Sequence, residues 1–210
     1  MADERADELG FRHRWVPAAD AAAAPTLLLP HGTGGNESDL LPLGRMLDPS
    51  ANLLSPRGRV LENGMPRFFR RLAEGVFDVP DLIAQTEALA EFVGVAADTY
   101  GFDARRVTGV GFSNGANTAG GLLLLRPRVL HAAVLLHPMV PLVPETPPDL
   151  ADVRVFIGAG RQDPLCPAAE TERLASLLRG YAAEVMLHWE PGGHSLTREE
   201  AQAAAGWLKG

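Results

Sequence analysis

The stretch Arg106-Val107-Thr108-Gly109-Val110-Gly111-Phe112-Ser113-Asn114-Gly115-Ala116-Asn117-Thr118-Ala119 decides the fold of this chain. Its first half, up to Phe112, is an apolar β pattern, and its second half opens a small-residue segment that runs into four leucines at 122–125. Ser113 stands at the junction, between Gly111 and Gly115, where side chains would collide across a tight turn. The pattern predicts a strand, a sharp turn and a buried helix, with the serine hydroxyl held clear of the sheet beside the helix N-terminus.

Along the rest of the chain, short apolar segments typical of strands alternate with segments whose apolar residues recur at helical spacing. Strands are predicted at 11–16, 26–29, 51–55, 132–136, 154–158 and 184–189, and helices at 81–97, 168–179 and 197–208. This alternation predicts an α/β fold with a mostly parallel central sheet and helices on both faces. Its length of 210 residues fits one domain, 1–210, in which the charged segment 1–10 is expected to be a flexible N-terminus.

The composition excludes several classes of partner. The net charge is −7 and no basic patch stands out, so we expect no nucleic-acid partner. Arg67, Arg70 and Arg71 cluster among acidic residues, which favours ion pairs over an anion site. No apolar run approaches the length of a membrane span, and the charged N-terminal segment is not a signal peptide. We therefore expect a cytoplasmic protein that does not insert into membranes.

The single cysteine, Cys166, excludes an internal disulfide and suits a reducing compartment. It lies between prolines with no activating base beside it. We interpret it as an ordinary loop thiol and not as a second nucleophile.

A serine nucleophile needs a base to accept its proton, and a strand–turn–helix serine is followed in the chain by its acid and then its histidine. His194 meets this requirement because it lies in the glycine-rich segment Pro191-Gly192-Gly193-His194 between the last strand and the last helix. His137 also follows a strand at the correct sheet edge and is its rival. We predict His194 as the base of Ser113.

The orienting acid is predicted at Asp163, in Gly158-Ala159-Gly160-Arg161-Gln162-Asp163-Pro164, just past a strand end. Asp149 and Asp152 precede that strand and lie at the wrong edge. An ordinary turn aspartate before a proline is the alternative interpretation.

Two backbone donors are needed for the oxyanion of a tetrahedral intermediate. One is predicted at Asn114, directly after the serine, and the other at Thr33 in His31-Gly32-Thr33-Gly34-Gly35. A phosphate-binding loop is excluded there because the P-loop lysine and the dinucleotide glycine spacing are missing. His31 is expected to brace this loop. The scattered histidines and carboxylates predict no metal site, and no cofactor motif is found.

With these residues in place, the chain resembles the carboxylesterase/phospholipase family of α/β-hydrolases over about 26–207. Within that family it is most similar to the MhqD-like serine esterases, the subgroup named for hydroquinone resistance. The narrower resemblance depends on the segments 57–71 and 74–78, on Ser113-Asn114-Gly115-Ala116-Asn117 and on Pro138-Met139-Val140-Pro141. It implies a minimal cap, a serine esterase that acts on small carboxylic esters without a cofactor, and, as in many members, a homodimer.

The resemblance leaves the substrate pocket and the substrate open. Met65, Phe68, Phe69 and Phe77, with Met139, either line an acyl or aromatic pocket or only fill the core. Thioester or lysophospholipid hydrolysis would suit the same fold, as would non-catalytic binding of small aromatic or quinone-like molecules, although a pure binder needs no triad. A dienelactone-type hydrolase is ranked lower, because those enzymes use a cysteine nucleophile where this chain has Ser113.

Overall fold

The computed structural model describes residues 9–210 and shows a seven-stranded sheet in the order β1-β3-β2-β8-β9-β10-β11. Only the β1–β3 pair is antiparallel within this sheet, and every other neighbouring pair is parallel. The strands are β1 His13–Val16, β2 Thr26–Leu28, β3 Asn52–Pro56, β8 Val107–Phe112, β9 Ala132–Leu136, β10 Arg154–Gly160 and β11 Glu184–Glu190. The predicted mostly parallel α/β sheet is confirmed.

Five helices cover the two faces of the sheet in the described part of the chain. They are α1 Leu41–Leu47, α2 Val79–Tyr100, α3 Asn114–Leu125, α4 Ala168–Gly180 and α5 Arg198–Lys209. Apolar residues of α2, α3 and α4 pack in one core layer, and those of α1 and α5 pack in the other. Successive residues of β2 alternate between these layers, because side chains of a strand point to opposite faces. None of the helices within residues 9–210 is both long enough and apolar enough to span a bilayer.

Two short hairpins form the cap between β3 and α2. The first pairs β4 Val60–Glu62 with β5 Met65–Arg67, and the second pairs β6 Arg71–Ala73 with β7 Val76–Phe77. Neither these hairpins nor α1 was predicted from the sequence. Of the segment 1–10 that was expected to be flexible, residues 1–8 lie outside the described residues, and Leu9 packs against the core.

The turn between β8 and α3 is as tight as its glycines predict. A Cβ on Gly111 would enter the backbone of Gly115 and Ala116, and a Cβ on Gly115 would enter the carbonyl group of Pro30. These close approaches let the β2 end, the β8 end and the start of α3 meet at one point. The carboxyl ends of the central strands therefore converge on Ser113.

Gly115→Ala is expected to lower the free energy of unfolding by about 4 kcal/mol or more, because the added methyl group meets fixed backbone atoms. Gly120→Ala on the same helix is the matched control. Its methyl group would lie 3.5 Å from Cγ of Pro141, an ordinary contact. In a helix interior we expect it to raise the free energy of unfolding by about 0.5–1 kcal/mol. The free energies of unfolding of the two variants are measured by urea unfolding followed by circular dichroism. Equal values would contradict the predicted collision of a methyl group at Gly115 with the backbone.

Candidate active site

Ser113 occupies a strained backbone conformation at the sheet edge. Its φ is 54° and its ψ is −116°, a region that residues with a Cβ rarely adopt. The turn is fixed by a hydrogen bond from the Ser113 amide to the carbonyl oxygen of Leu136, 2.9 Å away. The geometry matches the predicted strand–turn–helix serine and presents the hydroxyl outside the sheet.

A continuous hydrogen-bonded chain joins Ser113, His194 and Asp163. Nε2 of His194 lies 2.8 Å from Oγ of Ser113, and Nδ1 of His194 lies 2.7 Å from Oδ2 of Asp163. Because a carboxylate only accepts hydrogen bonds, Nδ1 of His194 carries the proton and Nε2 is left as the acceptor for the serine. The structure therefore brings together the three residues that were predicted from chain order.

The Asp163 carboxylate is buried but has many donors. Oδ1 accepts the amides of Leu165 and Cys166 at 2.8 and 2.9 Å, while Oδ2 accepts His194 and also Nδ1 of His137 at 2.8 Å. Burial opposes ionisation, but these hydrogen bonds outweigh it and hold the pKa of Asp163 below its usual range. The carboxylate stays charged near neutral pH and fixes the imidazole of His194.

The loops that carry Asp163 and His194 are joined backbone to backbone. The amide of Arg161 donates to the carbonyl of Glu190 at 2.8 Å, and the amide of Gln162 donates to the carbonyl of Gly192 at 3.0 Å. A Cβ at Gly160 would lie 2.5 Å from the carbonyl oxygen of Gly192, so the glycine allows the close approach. The acid and the base are thus positioned by one rigid unit.

The loop 31–35 faces Ser113 and offers a free amide. No hydrogen bond of the Thr33 amide is found within residues 9–210, whereas the amides of Gly34 and Gly35 bond to Pro66 and Gly32. Asn114 is the first residue of α3, where a helix leaves its amides without intrahelical acceptors. Both predicted oxyanion donors therefore lie at the cleft with their N–H groups available.

His31 braces this loop, as expected from the sequence. Its Nε2 accepts the amide of Gly58 at 3.0 Å, so its Nδ1 carries the proton and donates to the carbonyl of Gly32 at 2.6 Å. Burial lowers the pKa of His31, which keeps the ring neutral and this tautomer in place. Arg67 adds a second brace, donating to Oγ1 of Thr33 at 2.6 Å.

The cleft above Ser113 has a volume of about 660 Å³. Its walls combine Ser113 and His194 with apolar side chains, two arginines and two carboxylates. The lining residues are Gly32, Thr33, Gly34, Gly35, Asp39, Leu40, Arg67, Arg71, Glu74, Gly75, Phe77, Phe112, Ser113, Asn114, Asn117, Met139, Leu165, Cys166 and His194. A volume of this size accommodates a small ligand.

Five residues were considered from the sequence as pocket lining, and the structure brings two of them to the cleft. Met139 lines it, as does Phe77. Phe68 and Phe69 are 2% and 1% exposed and belong to the core, where Phe69 packs edge-on against Phe77. Met65 is half-exposed and contacts the loop at Gly34 instead of the cleft wall.

Two asparagines of α3 hold the cleft walls in place. Oδ1 of Asn114 accepts the amide of Phe68 at 2.8 Å and thereby holds the cap segment. Oδ1 of Asn117 accepts the amide of Met139, also at 2.8 Å, and holds the loop after β9. Both walls are therefore attached to the first turn of the helix that begins at the nucleophile.

Comparison with known proteins places this geometry in a family. The model of the dienelactone hydrolase family matches residues 81–206, which include Ser113, Asp163 and His194. The chain belongs to the dienelactone hydrolase family. It is 55% identical over 183 residues to "Putative hydrolase MhqD" of Bacillus subtilis (strain 168), covering 87% of this chain and 92% of that protein.

Two solved carboxylesterases resemble the chain over almost its whole length. A carboxylesterase of Bacillus cereus is 49% identical with a TM-score of 0.95, over 98% of this chain and 96% of that one. A carboxylesterase of Mesorhizobium loti is 35% identical with a TM-score of 0.88, over 95% of each chain. The resemblance to MhqD and the α/β-hydrolase fold are confirmed, and the chain is a hydrolase.

The family match corrects one ranking made from the sequence. A dienelactone-type hydrolase was ranked lower because the nucleophile position holds serine, yet the chain is a member of the dienelactone hydrolase family. The nucleophile position nevertheless holds Ser113, and Cys166 lies on a different loop. Burial raises the pKa of Cys166 to about 12, and its Sγ donates to the carbonyl of His137 at 3.2 Å. Cys166 is therefore a buried thiol whose surroundings disfavour the nucleophilic thiolate.

The arginine cluster of this dienelactone hydrolase family member is ion-paired, as its sequence predicts. Arg67 and Arg71 both contact Glu62, at 3.2 and 2.7 Å. Arg70 contacts Asp78 at 3.1 Å. No arginine of this cluster is left free for an anion, although Arg67 and Arg71 reach the cleft wall.

His137, Asp163 and His194 offer three potential metal-ligand atoms within 4.8 Å of one another. Both ring Nδ1 atoms face the same carboxylate oxygen at hydrogen-bond distance, and a proton on each nitrogen accounts for the arrangement. We assign the group to the catalytic relay, and the expectation of no metal site stays a prediction.

Sequence reasoning missed the second partner of Asp163. His137 was considered only as a rival base, but it sits behind the acid and does not contact Ser113. The sequence does place His137 at a strand end on the same sheet edge as Asp163, and this position could have indicated a contact between the two.

Proposed function

We propose that this chain is a serine carboxylesterase that hydrolyses small carboxylic esters through an acyl-enzyme intermediate. The observation that carries the proposal is the position of His194, 2.8 Å from the hydroxyl of Ser113 and 2.7 Å from the carboxylate of Asp163. A serine, a base and an orienting acid within hydrogen-bond reach are the elements of nucleophilic acyl transfer. The carboxylesterases among the solved relatives support the same reaction class.

In acylation, Oγ of Ser113 attacks the ester carbonyl while Nε2 of His194 takes the hydroxyl proton. The carbonyl oxygen gains the negative charge, and the amides of Thr33 and Asn114 stabilise it. Asp163 stabilises the imidazolium that forms. His194 then gives its proton to the departing alkoxide oxygen, so an alcohol leaves and the acyl group stays on Ser113.

In deacylation, His194 takes a proton from water, and the hydroxide attacks the acyl carbon. The same two amides stabilise the second oxyanion. As this intermediate collapses, the proton returns from His194 to Oγ of Ser113 and the carboxylic acid is released. The residues of the chain supply every step, and the mechanism uses no cofactor.

The proposal is tested with a panel of p-nitrophenyl esters from acetate to decanoate, and with a fluorophosphonate probe whose site is mapped by peptide mass spectrometry. We expect turnover of the short esters and labelling at Ser113. Thioesters and lysophospholipids with matched acyl chains are assayed in parallel, and a higher kcat/KM for either would assign those alternatives. A folded protein with neither turnover nor label would overturn the proposal and favour a non-catalytic binder.

Met139→Ala is expected to shift the acyl preference toward longer chains. Met139 lines the cleft, and its Cε faces the second cap hairpin at Gly75, so its truncation opens the wall there. We expect the ratio of kcat/KM for octanoate to that for acetate to rise about ten-fold, the scale of one methylene group in an apolar pocket. Leu61→Ala, at a 70% exposed site in β4, is the control. Unchanged ratios in Met139→Ala would remove this residue from the acyl site.

The resemblance further leads us to propose a cytoplasmic homodimer. Sedimentation equilibrium at micromolar concentration tests the assembly, and a monomer mass would refute the homodimer.

A further inference from the structure

Behind the triad lies a fully buried pair, His137 and Glu200, that the proposed reaction does not use. Nε2 of His137 lies 3.4 Å from Oε2 of Glu200, and both side chains are 0% exposed. Within residues 9–210, neither oxygen of the Glu200 carboxylate nor Nε2 of His137 has a hydrogen-bond partner, so the two side chains meet as an ion pair. An unpaired buried carboxylate is strongly unfavourable, so its contact with His137 needs a physical account.

Glu200 lies in the first turn of α5, where the local sequence predicts a helix-capping role for a glutamate. Thr197 caps this helix by accepting the amide of Glu200 at 3.0 Å, and glutamate at this position commonly returns the contact to the capping residue. Here the side chain turns inward instead, against Gly158 of β10. A Cβ at Gly158 would enter the Glu200 carboxylate, so the glycine makes the space for it.

The close approach of Nε2 of His137 and a carboxylate oxygen of Glu200 favours a proton between the two side chains. Nδ1 of His137 must carry a proton, because it donates to the Asp163 carboxylate. Nε2 then faces a carboxylate oxygen, and two acceptors cannot face each other without a proton. With carboxylates on both sides of the ring, that proton belongs on His137, which is thereby an imidazolium.

The surroundings of His137 contain few other charges. Asp163 reaches it from the loop after β10 and Glu200 from α5, while the His194 ring lies 5.2 Å away, centroid to centroid. The Cys166 thiol contacts only its carbonyl, and the Phe112 ring covers one edge. Burial lowers the pKa of His137, but Glu200 and Asp163 together outweigh burial and raise it.

We propose that His137 and Glu200 are positioning residues of the triad: their imidazolium–carboxylate pair holds Asp163 and offsets the negative charge that Asp163 exerts on His194. This inference rests on the proposed ester hydrolysis. It assigns to His137 and Glu200 a part in setting the pH below which that reaction slows. A cation at His137 disfavours a second cation at His194. Glu200 reaches the ring from the Nε2 side, away from Asp163, so its opposing effect on His194 is smaller. The pair therefore acts on the step in which His194 takes a proton, and the acid limb of the pH–rate profile measures its effect.

Glu200→Gln, His137→Gln and the double variant all remove the imidazolium, and kcat/KM for p-nitrophenyl acetate is measured from pH 5 to 10. We expect the acid limb of each profile to move up by about one pH unit, with the double variant moving no further than either single one. His188→Gln is the matched control, since it removes a second His–Glu pair, 2.8 Å apart, outside the cleft. Its acid limb is expected to stay in place.

An acid limb at the wild-type pH in folded Glu200→Gln and His137→Gln would overturn the proposal, whatever their loss in turnover. Should these variants not fold, ¹⁵N spectra of histidine-labelled wild type decide the question independently of catalysis. One of the six histidines is expected to carry protons on both ring nitrogens at pH 7, with a signal that persists in His188→Gln. Six neutral rings at pH 7 would refute the pair. If the folded wild type turns over no ester, the proposed function is refuted. The ¹⁵N spectrum then still tests whether His137 and Glu200 form the imidazolium–carboxylate pair.

Discussion

Replacing Ser113 with alanine is expected to lower kcat for p-nitrophenyl acetate by about 10⁴- to 10⁶-fold, the size of the loss when the serine of a catalytic triad is removed. The reason is chemical and not structural. Alanine keeps the Cβ that the backbone already accommodates at φ 54°, so the turn and the fold are retained. What disappears is the hydroxyl oxygen that lies 2.8 Å from Nε2 of His194. Initial rates and fluorophosphonate labelling of purified protein measure the loss.

Ser195→Ala is the control for this experiment. Ser195 is exposed and directly follows His194, so its hydroxyl is removed from the same loop without touching the relay. We expect wild-type rates and full labelling in that variant. Residual turnover above a hundredth of wild type in Ser113→Ala, or a label on another residue, would contradict the assignment of the nucleophile.

Replacing Asp163 with asparagine is expected to lower kcat about 10³- to 10⁴-fold at pH 7. The two amides of Leu165 and Cys166 decide how the new side chain sits, because they need an acceptor where Oδ1 now lies. The asparagine oxygen takes that place, and its NH₂ group faces Nδ1 of both histidines. His194 must then accept at Nδ1 and carry its proton on Nε2, where it can no longer take the proton of Ser113.

Asp152→Asn is the control, because Asp152 is exposed and precedes β10 at the opposite edge of the sheet. Its turnover is expected to equal that of the wild type. Thermal unfolding of both variants separates a chemical loss from a loss of fold. Full turnover in Asp163→Asn would show that another group orients His194 and would remove Asp163 from the mechanism.

The proximity of Ser113, Asp163 and His194 could be predicted from the sequence because local chemistry and sheet topology restrict their positions. A serine between glycines after an apolar strand leaves few conformations open, and a parallel sheet brings its strand ends to one edge. Asp163 and His194 follow strands at that edge, and the structure places them there. These inferences needed only the order of elements, which apolar periodicity gives directly.

The cap and the buried pair could not be predicted in the same way. Aromatic residues at 68 and 69 suit a pocket or a core equally well, and only the hairpin geometry, fixed through Asn114, turns both inward. His137 and Glu200 are 63 positions apart in the sequence, and they meet because Gly158 leaves space between β10 and α5. The local pattern at Glu200 favours a helix cap, so short-range rules indicate the wrong partner.

The asparagines of α3 have a consequence for how this scaffold can change its specificity. Asn114 holds the cap and Asn117 holds the loop after β9, each through a main-chain N–H and not through a side chain. Because these hydrogen bonds involve the backbone of the two segments, they do not depend on which side chains the segments carry. Divergence or engineering can therefore exchange the side chains around the ester while the frame keeps its alignment with the nucleophile. A transplanted cap must present a backbone donor to Asn114, and it must also keep the hydrogen bonds that Pro66 and Arg67 make with the loop 31–35.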